Sequence, residues 1–178
     1  VLIMLRNLFS KPTGEDLFKE LQKESFNESK ANSILEHVDI NSIDNDGKTF
    51  LHHVCYENIH LPIRWLVKNG IDKDTEDYDG NTALLIALKN DCFESYHQLL
   101  QLGMDVDKQN RLGRTVVQET LMLSDPKFFK ATKKFSKNLN LVDKKGRNIL
   151  FDAVINGNIS LLKDIFLEDI DKTLVDKE

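Results

Sequence analysis

Asp44-Asn45-Asp46-Gly47-Lys48-Thr49-Phe50-Leu51-His52 is the stretch that decides how this chain is read, because its frame returns three more times. Asp77-Tyr78-Asp79-Gly80-Asn81-Thr82, Asn110-Arg111-Leu112-Gly113-Arg114-Thr115 and Asp143-Lys144-Lys145-Gly146-Arg147-Asn148 repeat it, and Gly47, Gly80, Gly113 and Gly146 stand at one constant interval. The chain has only eight glycines, so the spacing is a period and not a by-product of composition. The frame has a chemical reason. A leading Asp or Asn bonds the backbone that follows it, glycine takes a positive φ at no steric cost, and the Thr or Asn two places on caps a helix.

Outward from each frame the pattern continues. Short helix-like stretches run over 49–56, 82–89, 115–122 and 148–155, and each is followed by a turn-former at Asn58, Asp91, Ser124 or Gly157. A second helix then shows leucine-type spacing, as in Ile63, Leu66 and Val67, or Tyr96, Leu99 and Leu100. Asp125-Pro126 marks its start in the third unit, with proline expected at the first helical position, and Gly70 and Gly103 end it in the first two. The unit is turn, helix, turn, helix, loop.

This unit resembles the ankyrin repeat. The family frame Asp-x-x-Gly-x-Thr-Pro-Leu-His is matched over 44–52 in all but the proline, and loop ends such as Gly103-Met104-Asp105-Val106-Asp107 match as well. The resemblance implies an all-α ankyrin-repeat solenoid of stacked helix-turn-helix units with short hairpin-like loops. It divides the chain into a divergent capping repeat at 1–43, repeats at 44–76 and 77–109, a degenerate repeat at 110–142, and a repeat at 143–178 that includes the start of a further unit. Ser136 replaces the loop glycine in the degenerate unit. The first unit is placed by counting one further period back, from Gly47 to Gly14, and by the apolar pairs that follow. Three of the four matched units lack the frame histidine, so weaker hydrogen-bond links between units are expected there.

With 40% hydrophobic and 30% charged residues the chain is less apolar than an average globular domain, which suits a thin, elongated core. Its formal charge of −5 argues against a dedicated nucleic-acid binder. Cys55 and Cys92 form no framework and no Cys-x-x-Cys pair, so a reducing, cytoplasmic location is expected. The apolar run Val1-Leu2-Ile3-Met4-Leu5 falls far short of the roughly 18 residues of a membrane span. At the other end the helix over 159–168 is apolar almost all round, and Asp176 is in phase with a new unit. Further repeats, a partner or a second copy are expected to cover that helix.

No catalytic, cofactor-binding or metal-binding set stands out. His52 and His53 are adjacent and would point about 100° apart on a helix, a poor arrangement for joint ligation; under the resemblance His52 is the structural histidine that bonds within and between repeats. Cys55 sits at a core position equivalent to Leu88 and Val154. Cys92 begins a second helix, where a helix N-terminus lowers a thiol pKa, although packing is the expected role. The acids Asp72, Asp74, Glu76, Asp77 and Asp79 do not fit the twelve-residue calcium loop.

The resemblance implies a protein-binding module that works through loop tips and the exposed, concave side of each first helix. Carried over by position, the binding residues are Asp46, Lys48 and Tyr56, then Tyr78, Asp79 and Lys89, then Arg111, Leu112, Arg114 and Met122, then Lys144, Lys145, Arg147 and Ile155. Tyr56, Tyr78, Leu112, Met122 and Ile155 would form an apolar seam. Charge is segregated along the same edge, with nine acids and four bases over 39–79 against ten bases and three acids over 111–147. Two readings of that segregation stand: a solvated surface, or a site for an elongated partner of opposite polarity. Other function classes are a regulatory or targeting domain of a larger enzyme or membrane-associated protein, and nucleic-acid binding on the basic half, where Phe128, Phe129 and Phe135 interleave with lysines.

Overall fold

The computed structural model describes residues 11–123, 125–166, 168 and 170, and among them the chain is all-helical. Helices α1 (Gly14–Leu21) and α2 (Glu28–Leu35) open the stack. Three pairs follow: α3 (Phe50–Tyr56) with α4 (Ile63–Lys68), α5 (Ala83–Lys89) with α6 (Phe93–Gln101), and α7 (Val116–Thr120) with α8 (Lys127–Thr132) and a 3-10 turn at Lys133–Phe135. The last pair is α9 (Ile149–Ile155) and α10 (Ile159–Phe166). First helices pack in sequence, α3 on α5 on α7 on α9, and second helices likewise, α4 on α6 on α8, so the units stack as a solenoid. Helices of five to nine residues are too short to persist alone, and their stability comes from this stacking.

The local chemistry explains each element. Thr49, Thr82, Thr115 and Asn148 are the N-caps of the four first helices. Before each cap the turn is closed by one carboxylate or amide oxygen: Asp44 Oδ1 accepts from the N–H groups of Asp46 and Lys48 at 2.9 Å, and Asp77, Asn110 and Asp143 repeat the pattern. Gly47 has φ +79°, and a Cβ there would lie 2.7 Å from the Tyr78 ring of the next tip. That glycine is therefore required twice, by its backbone angle and by the approach of the next unit. Tips are also joined directly, the Tyr78 N–H donating to Asp46 O at 2.9 Å and the Lys144 N–H to Leu112 O at 3.1 Å. Between them, the Arg111 guanidinium donates to Tyr78 O.

First helices end in left-handed residues, Asn58 (φ 57°), Asp91 (φ 54°) and Gly157 (φ 67°), each followed by an N–H that reaches back to the helix. The Ile59, Cys92 and Asn158 N–H groups donate to the carbonyls of Val54, Ala87 and Ala153. Ser124, the breaker expected in the third unit, lies outside the described residues. There Pro126 occupies the cap position of α8 rather than its first turn, and without a loop glycine the second helix winds down through the 3-10 turn into extended backbone at Ser136.

Two expectations need correction. Gly14 does not open a turn: it is the first residue of α1, capped by Thr13, whose box partner is Asp16. Helix caps keep the period of the glycines from Thr49 through Thr82 and Thr115 to Asn148, whereas Thr13 lies further from Thr49 than one period, because α1 and α2, of 8 residues each, are longer than α3 and α4, of 7 and 6. The third unit also keeps its inter-unit link. His52 accepts the Thr49 N–H at Nδ1 (3.1 Å) and donates from Nε2 to Asn81 O (3.0 Å). Gln118 does the same with an amide, accepting the Thr115 N–H at Oε1 (3.0 Å) and donating from Nε2 to Arg147 O (2.8 Å). A side chain with an acceptor at one point and a donor at another is all the link requires.

Candidate partner-binding surface

The positions between turn and first helix decide which side chains face outward. Tyr56, Tyr78, Leu112, Met122 and Ile155 are all exposed, by 57–64%, although a tyrosine, leucine, methionine or isoleucine on a packed helix normally turns inward. Tyr56 ends α3 and Tyr78 sits on the next tip. Leu112, Met122 and Ile155 come together around one groove of about 260 Å³, which Arg114, Glu119, Arg147, Asp152 and Asn156 complete.

The charged residues divide into an exposed set and a buried or half-buried set. Asp46, Asp79, Lys89, Arg111, Lys144 and Lys145 are exposed, with the Lys89 ammonium on Asn81 Oδ1. Half-buried Lys48 reaches Asp46 at 3.2 Å. Arg147 is half-buried and donates through Nε and Nη2 to Asp143 Oδ2 at 3.0 and 2.8 Å, within its own turn. Arg114, expected on the open tip, is instead only 6% exposed. Its turn begins with neutral Asn110, so the guanidinium finds no carboxylate there and turns inward. Nε donates to Glu119 Oε1 (3.1 Å), Nη1 to Asp152 Oδ1 (3.0 Å) and Nη2 to Gln118 O (3.1 Å), with Asp143 Oδ2 at 3.5 Å.

This cluster has a definite electrostatic character. Burial pushes the Asp152 carboxyl above its ordinary range, against the hydrogen bond and attraction of Arg114. Burial also opposes the charge on Arg114, but Asp152 and Glu119 outweigh it and raise its pKa. Asp143 is held below the usual carboxylate range, because Arg147 and the turn N–H groups outweigh the cost of burial. At least four of the ten bases over 111–147 are engaged by carboxylates, since Lys127 pairs with Asp91 and Asp125 and Lys133 with Glu168. The basic half therefore presents less open charge than its composition.

Gln118, Glu119 and Asp152 escaped the sequence reading. Thr115-Val116-Val117-Gln118 does carry the signature of a capping box, which is the sequence signal available for Gln118. Nothing local in sequence pairs Asp152 with Arg114, an arginine of the preceding unit. Phe128 and Phe129 are fully buried, Phe128 edge-on to Tyr96, and offer no open ring for base stacking. Cys55 is buried, whereas Val154 at the equivalent place is exposed. Burial first, then Asp91 and Glu94, push the Cys92 thiol up, so its place at the start of α6 does not activate it. Among the described residues no group of three or more His, Cys, Asp or Glu is arranged to hold a metal ion, and no helix is long and apolar enough to cross a membrane.

Comparison with known proteins places these features in context. A family model described as ankyrin repeats, three copies, matches residues 21–110. A putative ankyrin repeat protein of Rickettsia felis is 38% identical over 93 residues, covering 46% of the chain and 40% of that protein. B-cell lymphoma 3 protein of Homo sapiens is 24% identical over 138 residues, 75% of the chain and 30% of that protein. Ankyrin repeat protein OPG189 of Variola virus is 27% identical over 148 residues, 78% of the chain and 26% of that protein. The chain thus spans less than half the length of these curated relatives. Among solved structures, the ankyrin repeat domain of Bcl-3 superposes with a TM-score of 0.79 at 21% identity, over 91% of this chain and 73% of that one.

Proposed function

The chain belongs to the ankyrin-repeat family, whose repeats are in general protein–protein interaction modules, and from this premise we propose that it is a non-catalytic docking surface for a protein partner. The observation that supports the reading is the exposure of five large apolar side chains, Tyr56, Met122 and Ile155 at one position of their repeats and Tyr78 and Leu112 on two turn tips. Aromatic and methionine side chains are enriched at interface centres. The partner lies along the stack, with a basic stretch against Asp46 and Asp79 and an acidic one against Arg111, Lys144 and Lys145. The burial of Phe128 and Phe129 favours a protein over nucleic acid. A second reading, a regulatory or targeting domain within a larger enzyme or membrane-associated protein of the cytoplasm, draws on the short share of each relative that the chain spans.

The test compares the seam triple Tyr56→Glu, Tyr78→Glu, Leu112→Glu with Lys68→Glu on a second helix, using a partner recovered by affinity capture and its Kd by interferometry. The triple is expected to weaken binding by more than about tenfold, the loss of at least one interface hot spot. A partner that tolerates the triple and is lost with Lys68→Glu contradicts the reading.

A further inference from the structure

The two ends of the stack are finished differently. Helices α1 and α2 expose no large apolar side chain, as suits a terminal unit, whereas Val154 and Ile159 on the last pair are 60% and 77% exposed. Earlier units show what that end face is for. His52 and Gln118 reach forward to Asn81 O and Arg147 O. Phe93 packs edge-on to Phe128 at 5.2 Å, and Tyr96 does so at 5.0 Å while its hydroxyl bonds Thr132 Oγ1. Each of these side chains touches the unit that follows its own. At the same repeat positions the last unit carries Phe151, Ile159 and Leu162. Phe151 and Leu162 are half-buried, where the three counterparts of each are buried. Cys55, Leu88 and Leu121 are at most 2% exposed, and Val154 holds their place. Phe151 has no hydrogen-bonding side chain, but neither has Leu85, which is 2% exposed at that position, so an apolar contact there is enough for stacking.

We propose that this end face is the seat of a further ankyrin-type unit of the same polypeptide, opened by Asp176. Asp44, Asp77, Asn110 and Asp143 start the four turns at one interval, and Asp176 stands at that interval again, followed by Lys177 as Asp143 is by Lys144. The face continues the interface that already joins the units, so the element that fits it is the helix pair the stack has used before. The added first helix packs on α9 over Phe151 and Val154, and the added second helix on α10 over Ile159 and Leu162. The helices that a second copy stacked head to tail brings to this face, α1 and α2, expose no large apolar side chain. The face is also separate from the concave seam, because Val154 and its neighbour Ile155 point about 100° apart on α9.

The test compares the polypeptide at its natural length with a chain stopped at Glu178. The intact mass of the natural protein is expected to exceed that of the stopped chain by at least one unit of about 33 residues. A natural polypeptide that ends at Glu178 overturns the proposal. In the longer chain the amides of 149–166 are expected to exchange with deuterium more than about tenfold slower than in the stopped chain, because end units open most readily. Val154→Asp places a carboxylate in the added interface and is expected to abolish that difference. Ile155→Asp, at a site on the same helix that is exposed to the same degree, is expected to leave it. Both variants stay folded in the stopped chain, where each side chain is more than half exposed. Equal exchange in the two chains, a difference that survives Val154→Asp, or one that is lost with both variants overturns the proposal. Protection that grows with protein concentration gives the face to a second copy and overturns it as well.

Discussion

Units 44–76 and 77–109 begin their turns with Asp44 and Asp77 and leave their exposed charges at the tips; the unit that begins at Asn110 instead draws Arg114 into the stack. One atom group makes the difference. With Asp at the turn start the carboxylate serves its own loop, as Asp143 serves Arg147 at 2.8 Å. With Asn the amide donates to Glu119, and the nearby arginine reaches across to Asp152 on the next first helix. The early part of the stack is thus linked by a neutral imidazole and the later part by an amide above a buried ionic cluster. Repeats that share a backbone frame can differ in where their charge ends up.

The largest expected effect comes from removing Arg114. Arg114→Ala leaves the Asp152 and Glu119 carboxylates without their guanidinium partner, Asp152 in a buried place, and a loss of about 3–5 kcal/mol in urea unfolding is expected. Lys48→Ala, at the same frame position in the first matched unit, should change stability little, because its pair with Asp46 is at the surface. Similar losses at both sites would erase the contrast between the two regions.

Next in size are the two inter-unit links. His52→Leu and Gln118→Leu each strand a buried N–H and carbonyl, at an expected cost of about 1–3 kcal/mol. Only one link titrates. Burial, ahead of the neighbouring charges, holds the His52 imidazole below its ordinary 6.5. The folded state therefore binds fewer protons than the unfolded one, so the stability the link contributes is full above 6.5 and falls as the pH drops below it. The cost of His52→Leu should shrink on acidification through that window while the cost of Gln118→Leu stays level. Parallel pH profiles of the two variants would contradict the assigned tautomer.

Asn110→Asp is the smallest and most diagnostic change. It restores the residue found at the other three turns, yet it replaces a donor to Glu119 with a second carboxylate. A loss of about 1 kcal/mol is expected, the value of one hydrogen bond, rather than the gain that matching the other turns would suggest. A rise in the urea midpoint would show that the turn outweighs the cluster.

Much of this stack is legible in sequence because its rules are local. The turn glycines mark positive φ, the caps mark helix starts, and His52 stands where the frame requires a donor and an acceptor. The exposed tyrosines, Leu112, Met122 and Ile155 follow from the same frame. What escaped depends on partners far along the chain. Arg114 stands at a tip position in sequence, but its inward turn is set by Asn110, Glu119 and Asp152 together; Gln118 is legible as a capping-box residue of its own helix, but nothing local shows that its amide reaches Arg147 O in the next unit. Gly14 kept the period by coincidence, since helices longer than α3 and α4 shift the first unit's cap toward the N-terminus.

Hydrogen exchange of the protein with and without a captured partner tests the central claim most directly. Protection is predicted for peptides covering the tips and first helices, 44–56, 77–89, 110–122 and 143–156, with the second helices 63–68, 93–101 and 127–135 unchanged. Protection confined to the second helices would contradict the account.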